Sequence, residues 1–431
     1  MTAQREALVA LDKRRVWHPY TPMQAYIEQG RPLVIERAEG ARLYDLDGRS
    51  YIDGNSSWWT AVLGHGHPRL VGALERQART LCHTALAGIV HENAAVLADE
   101  LVQVAPPGLD RVFFSDDGST SVEVALKLSL QFWSQNGRPE RRRFIALDGA
   151  FHGDTLGATA LGGVEVFRRP FASVLLDCVH VPSAADGFER AFAAIEALVE
   201  RDRDHVAAVV LEPIVQGAAG MRIYDPEFLR RVRELTTRHD LLLVADEVFT
   251  GYGRTGPMWA CEHAGVAPDL LCLAKGFTGG LLPMAATLVS ARVFEGFLGP
   301  PERAFYYGHT FCGNPLGAAI AREVLAVFRE EQVLEQAARK ARRIAAFFEG
   351  VRGRPGVRAT RALGMIGALD LEGEGGYLDR AGWRVVEAAL ERGAYLRPLG
   401  NVVYVAPPLN IPDADLEELL QIVDAALGCL A

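Results

Sequence analysis

The chain has 431 residues, 49% apolar and 23% charged, with a formal net charge of -9 at pH 7. That length exceeds what one core comfortably serves and predicts two or three lobes, while the acidic balance argues against a nucleic-acid surface and for small-molecule partners. The six cysteines are scattered with no CxxC pair, no apolar run approaches the ~20 residues that span a bilayer, and the charged stretch "MTAQREALVALDKRRVW" is unlike a signal peptide. The expectation is a cytoplasmic protein with reduced thiols and no membrane partner.

Taken along the chain, residues 31–55 ("LVIERAEGARLYDLDGRSYID" within them) read as a β-meander with an Asp-Gly turn. From residue 66 to 325 strand-like and helix-like segments alternate. "RVFFS" (111–115), "RRFIAL" (142–147), "CVHVP" (178–182), "HVAAVVLEP" (205–213), "LLLVADEV" (241–248) and "LLCLA" (270–274) are short apolar runs, the pattern of parallel strands covered on both faces. "MAATLVS" (284–290) follows "LLCLA" closely enough to pair with it antiparallel. Helical patterns lie between, as in "STSVEVALKLSLQFW" (119–133) and "PEFLRRVRELTTRH" (226–239). Beyond residue 326, helices alternate with "MIGALDL" (365–371) and "VVYVAPP" (402–408). The expected fold class is α/β: a large domain over 66–325 with a mostly parallel sheet, and a small α+β domain from both chain ends, 1–65 and 326–431.

Ligands of open α/β sheets sit outside the carboxyl ends of the strands. Three features fall there. "FFSDDGST" ends a strand and opens a helix, so Gly118, Ser119 and Thr120 would offer amides and hydroxyls to a phosphate. "LLLVADEV" ends in Asp246 and Glu247, and a carboxylate closing so apolar a strand needs a partner. "LLCLAK" puts Lys275 at the next such end, one of only four lysines (Lys13, Lys127, Lys275, Lys340) in a chain that otherwise uses arginine. A partly desolvated lysine becomes a nucleophile and, unlike arginine, can form an imine with an aldehyde. Singly, each has an ordinary reading as a helix cap or an ion pair. Together they suggest pyridoxal phosphate: lysine on the aldehyde, aspartate on the pyridinium N–H, helix end on the phosphate. "GYGRTG" (251–256) has the spacing of a dinucleotide turn, but Pro257 and Met258 follow where a helix should open, and the acidic residues precede the glycines.

These motifs resemble the class III aminotransferases, fold-type-I pyridoxal-phosphate enzymes. "SDDGSTSVEVALK", "GAFHGDT", "LEPIVQG", "VADEVFTGYGRTG", "LAKGFTGG" and "GHTFCGNPLG" occur in the family order. The resemblance implies a seven-stranded sheet and a homodimer with shared active sites. It implies Lys275 as the Schiff-base lysine and Asp246 as the pyridinium partner. Gly118, Ser119 and Thr310 would bind phosphate, Thr310 on the neighbouring subunit's cofactor, and Phe151 would stack on the ring beside His152. Glu212 and Gln216 would lie in the same pocket.

Four stretches resemble one branch of the class: "VWHPYTPM" (16–23), "GNSSWWTAVLGHGHP" (54–68), "FHGDT", and "LRPLGNVVYVAPP" (396–408). That branch, in biotin biosynthesis, transfers an amino group from S-adenosylmethionine to 7-keto-8-aminopelargonate, and some of its members use lysine as donor. The likeness implies apolar walls from Trp58, Trp59 and Tyr20, a carboxylate clamp at Arg397, and substrate contacts from Asp154, Arg254 and Gly308. No metal site is expected. Phe151 stands where the family usually has tyrosine, and His309 gives "GHT" where this branch commonly has "GPT".

Overall fold

The computed structural model describes residues 3–430. Its first strands are β1 (Ile35–Glu39), β2 (Arg42–Asp45) and β3 (Ser50–Asp53), joined as an antiparallel meander. The next four are β4 (Leu109–Ser115), β5 (Arg143–Leu147), β6 (Cys178–Val181) and β7 (Val206–Leu211). A two-stranded ribbon, β8 (Val215–Gln216) and β9 (Arg222–Ile223), precedes β10 (Leu242–Asp246), β11 (Leu270–Leu273) and β12 (Ala285–Ser290). The last four are β13 (Val357–Leu363), β14 (Ile366–Leu371), β15 (Ala394–Tyr395) and β16 (Val402–Val405).

The large sheet has seven strands in the order β4-β12-β11-β10-β7-β5-β6. Only β12 runs against its neighbours; it pairs antiparallel with both β11 and β4, so the other six point one way. The tight β11–β12 link expected from the sequence is therefore present. Strand residues divide by parity. Ile145, Val209, Leu243 and Leu271 enter one apolar cluster; Phe144, Ala208, Leu242 and Leu270 enter the other. Both faces are covered, which is why these strands read as unbroken apolar runs.

The chain ends meet in a second sheet. β15 adds to β3 in parallel, giving the order β1-β2-β3-β15, and β13-β14-β16 form a third, antiparallel sheet nearby in sequence. Gly48 makes the predicted Asp-Gly turn with φ of +79°. The consequence for the site is directional. The carboxyl ends of β4, β5, β10 and β11 open on one edge, and residues 54–60 and 395–409 close over it. Among the described residues, no helix is long and apolar enough to cross a membrane.

Candidate active site

A cavity of about 540 Å³ lies at that edge. Tyr20, Trp58, Trp59, Gly118, Ser119, Phe151, His152, Asp154, Glu212, Asp246 and Lys275 all line it, so eleven of the residues singled out in the sequence converge there.

Its floor is built by strand ends. β10 stops at Asp246, which is 4% exposed, and the alternation of the strand sends the next residue, Glu247, to the opposite side. Glu247 is satisfied there by the Thr250 hydroxyl (2.6 Å) and the amides of Ala260 (3.0 Å) and Cys261 (2.8 Å). Asp246 keeps its position through the Val248 amide, which donates to Oδ1 at 3.0 Å, and through His152 Nδ1, 2.7 Å from Oδ2. Burial alone would pull the His152 pKa down, but the hydrogen bond and charge of Asp246 outweigh it and raise it. The His–Asp pair thus gives a buried carboxylate a hydrogen-bond partner.

β11 ends at Leu273, and Lys275 follows with φ of +45°, a left-handed conformation that costs a non-glycine residue about 1 kcal/mol or more. Its Nζ lies 4.5 Å from the centre of the Trp59 ring and 5.8 Å from that of Phe249. Among the described residues no carboxylate comes within ion-pairing distance of it. Burial lowers its pKa to about 8, with the charges of Asp246 and Glu212 opposing the drop. Glu212 sits on the cavity wall, accepts from the amides of Phe151 (3.1 Å) and Gly217 (2.8 Å), and is pushed up to about 7 by burial.

The third strand end, after β4, opens the helix Gly118–Gln135. Asp117 caps it: its carboxylate accepts from the Thr120 amide at 2.9 Å, and the Thr120 hydroxyl receives the Asp117 amide at 2.9 Å. Thr120 is therefore committed to the cap, contrary to its expected share in a phosphate site. Among the described residues, nothing accepts from the amides of Gly118 or Ser119, which front the cavity at the positive end of the helix. The backbone there is close-fitting. A Cβ on Gly118 would fall 2.7 Å from Val248 Cγ1, and one on Gly153 (φ +126°) would collide with Ser119. Free helix-end amides, a strand-end carboxylate and an amine without a counter-ion fit the phosphate, ring nitrogen and aldehyde of pyridoxal phosphate.

The roof is less regular. Ser56, Ser57, Trp58 and Trp59 have φ of +49°, +44°, +65° and +74°, a left-handed turn built without a single glycine. Such a turn costs about 1–2 kcal/mol per residue, and its side chains offset that. Ser57 Oγ donates to Asp53 (2.8 Å), Ser56 Oγ to the Ala406 carbonyl (2.7 Å), and Trp59 Nε1 to the Tyr404 hydroxyl (3.0 Å). The turn delivers both tryptophans to the cavity, Trp59 5% and Trp58 39% exposed. Tyr20 meets Trp58 edge-on at 5.4 Å and donates its hydroxyl to Asp154. Arg397 is not among the residues that line the cavity; its guanidinium lies over the Trp58 ring, 4.8 Å from the centre, and its amide donates to Asn55 Oδ1 at 2.7 Å.

Not every predicted residue reaches the cavity. Arg254 is 1% exposed and lies behind the roof, donating to the Pro407 carbonyl (2.7 Å) and reaching toward Ser56 Oγ (3.4 Å). Burial lowers its pKa to about 10. Gln216 turns away, bonded to Ser183 and to the Asp148 carbonyl. Gly308 and Thr310 are exposed on the segment after residue 303 and do not line this cavity. Between them, His309 bridges Asp116 (2.8 Å) and the Tyr307 hydroxyl (2.9 Å), and its amide donates to Cys312 Sγ (3.1 Å). Sequence reasoning missed Phe167, Tyr377, Phe249 and Leu399, which also line the cavity. Phe249 and Leu399 stand inside quoted motifs ("VADEVFTGYGRTG" and "LRPLGNVVYVAPP") without having been singled out, whereas Phe167 and Tyr377 belong to no motif.

A family model for class III aminotransferases matches residues 25–427. A relative from Geobacter sulfurreducens, an adenosylmethionine-8-amino-7-oxononanoate aminotransferase, is 40% identical over 430 residues, covering 95% of this chain and 94% of its own. The crystal structure of the enzyme of that name from Methanocaldococcus jannaschii superimposes with a TM-score of 0.94 at 34% identity, covering 99% of each chain. An amine transaminase from an uncultivated Pseudomonas species, crystallised in its PLP-bound form, gives a TM-score of 0.91 at 30% identity, covering 97% of this chain and 99% of its own.

Proposed function

The chain belongs to the class III aminotransferases, and from that premise we propose that it transfers an amino group from S-adenosylmethionine to 7-keto-8-aminopelargonate (8-amino-7-oxononanoate), giving 7,8-diaminopelargonate for biotin synthesis. It is an enzyme of the pyridoxal-phosphate-dependent kind. The observation that carries the substrate assignment is identity of 38–43%, over 94–97% of this chain, to four relatives of that one name. Arg397 supports it: a guanidinium over Trp58, a ring that lines the cavity, suits an aliphatic substrate ending in a carboxylate.

Pyridoxal phosphate, when bound, supplies an electron sink and carries the amino group between the two substrates. The chain's residues do the rest. Lys275, with its pKa near 8, has a share of neutral amine at neutral pH to hold the aldehyde; once released it moves a proton at the substrate carbon. Asp246, held in place by His152, would keep a proton on the ring nitrogen. The Gly118 and Ser119 amides hold the phosphate, and Phe151 packs on the ring face. Trp58, Trp59 and Tyr20 exclude water and guide an aliphatic chain, with Asp154 fixed by Tyr20 beside them. Arg254 acts one layer back, tying the roof turn to residue 407.

We further propose a cytoplasmic homodimer. Gly308 and Thr310, exposed and apart from this chain's own cavity, would complete the site of the partner subunit. Residues 66–325 would form the cofactor-binding unit. The test of the reaction is product analysis with each candidate amino donor. Formation of 7,8-diaminopelargonate from S-adenosylmethionine supports the reading. Formation only from lysine replaces the donor, and amination of simple ketones in preference to the keto acid replaces the acceptor.

A further inference from the structure

Seven aromatic rings line the cavity, and they are not equally committed. The Trp58 ring already carries the chain's own cation Arg397 at 4.8 Å, and the Trp59 and Phe249 rings carry Lys275 at 4.5 and 5.8 Å. Phe151 is reserved for the cofactor face, and Tyr20 spends its hydroxyl on Asp154. That leaves Phe167 and Tyr377. They meet edge to face with centroids 4.8 Å apart and an interplanar angle of 74°, so one of the two rings presents a face where the other presents an edge. Both are half-buried, and both line the cavity. Phe167 continues the wall to Tyr20 at 5.5 Å and to Phe151 at 5.9 Å. Among the described residues, no lysine or arginine lies over either ring, although twelve such cation–ring pairs occur elsewhere in the chain.

An aromatic face with no resident cation, in a partly desolvated cavity, is a site for a diffuse positive charge that donates no hydrogen bonds. The two substrates differ in this respect. The acceptor's far end is anionic and suits Arg397. The donor carries a sulfonium two methylenes beyond the reacting α-carbon, and a sulfonium cannot be bound by hydrogen bonds to oxygen in the way an ammonium can. The Asp154 carboxylate, held by Tyr20 on the same wall, adds to the negative potential. We propose that Phe167 and Tyr377 form the subsite that recognises the sulfonium of S-adenosylmethionine, so that one cavity serves a cationic and an anionic substrate through two separate patches of wall. This rests on the reading of S-adenosylmethionine as donor.

The test uses the cofactor-loaded enzyme without acceptor, measuring the apparent Kd of S-adenosylmethionine and of its uncharged thioether, S-adenosylhomocysteine, from the change in visible absorbance. The wild type should prefer the sulfonium by about tenfold, the scale of a partly desolvated cation–ring contact. Phe167→Leu and Tyr377→Leu should each lower that ratio, and the double variant should bring it within about twofold of unity. Tyr377→Phe, which keeps the ring, should preserve it. Because both ligands share the adenosine and the amino-acid head, general damage to the pocket cancels in the ratio. A wild-type ratio near one, or a ratio untouched in the double variant, overturns the subsite while leaving the donor assignment standing. No reaction of the wild type with S-adenosylmethionine, alongside a reaction with lysine, overturns both.

Discussion

On the inner side of the cavity, Asp246, Lys275 and the Gly118 amides stand at or just past the ends of β10, β11 and β4. On the outer side, Tyr20, Trp58, Phe167 and Tyr377 come from four separate segments, none of them in a strand. The inner groups inherit their spacing from hydrogen-bonded strands about 4.8 Å apart, so their geometry is fixed by the sheet itself. The outer groups are held by side-chain bonds and ring edges, such as Ser57 to Asp53 and Phe167 to Tyr377. On the proposed roles, bond-making residues thus stand on the sheet, and residues that choose among substrates stand on the connections, where substitutions are absorbed.

That division breaks first if an inner residue is dispensable. Lys275→Ala should lower turnover by at least about 10⁴-fold and remove the visible absorbance of the loaded enzyme, with the thermal midpoint little changed. Borohydride reduction of the wild type followed by peptide mapping should mark Lys275; a label on Lys127 or Lys340 would contradict the assignment. The outer wall should behave differently. Arg397→Ala should raise KM for the keto acid by about 10- to 150-fold, the equivalent of 1.5–3 kcal/mol for a charged hydrogen bond, and alter donor binding far less. Equal losses in both half-reactions would make Arg397 a structural residue and blur the two sides.

A pH profile sharpens the inner half. The Lys275 pKa is lowered to about 8, so its neutral fraction falls about tenfold per pH unit below that point. The rate at which apoenzyme takes up cofactor should therefore rise with pH and level off above about 8; a profile still rising steeply to pH 10 would mean the amine is not desolvated. The smallest effect is expected at Phe151. Tyr20 already satisfies Asp154, so a new hydroxyl is not needed to hold that carboxylate. Phe151→Tyr should leave cofactor retention intact and change kcat/KM by less than about tenfold. A hundredfold gain with a different keto substrate would overturn the choice of acceptor.

The same division decides what could be read in the sequence. The strands of the large sheet were legible because burial on both faces forces apolar runs, and Asp246 and Lys275 stood out as charges ending such runs. Gly118 and Ser119 were legible as a helix start, but the diversion of Thr120 into the cap depends on the Asp117 rotamer and was not. The turn at Ser56–Trp59 gave no local signal. Serine and tryptophan are poor predictors of positive φ, and the bonds that hold the turn come from residues some 350 positions later. Phe167 and Tyr377 were invisible for the same reason: ring contacts over 210 positions of sequence leave no periodicity to find.

The left-handed turn also bears on when the enzyme becomes an enzyme. Its anchors at Tyr404, Ala406 and Pro407 leave the ribosome about 130 residues after Lys275 and later still than Asp246. A nascent chain with its sheet already folded would carry the lysine and its carboxylate beneath an open roof, since four consecutive residues at positive φ do not hold that shape unaided. Synthesis of residues 404–407 closes the tryptophan pair over the floor. On the proposed role of that pair, substrate selection is withheld until the chain is made past residue 407, and a product that stops before residue 404 would lose all three anchors.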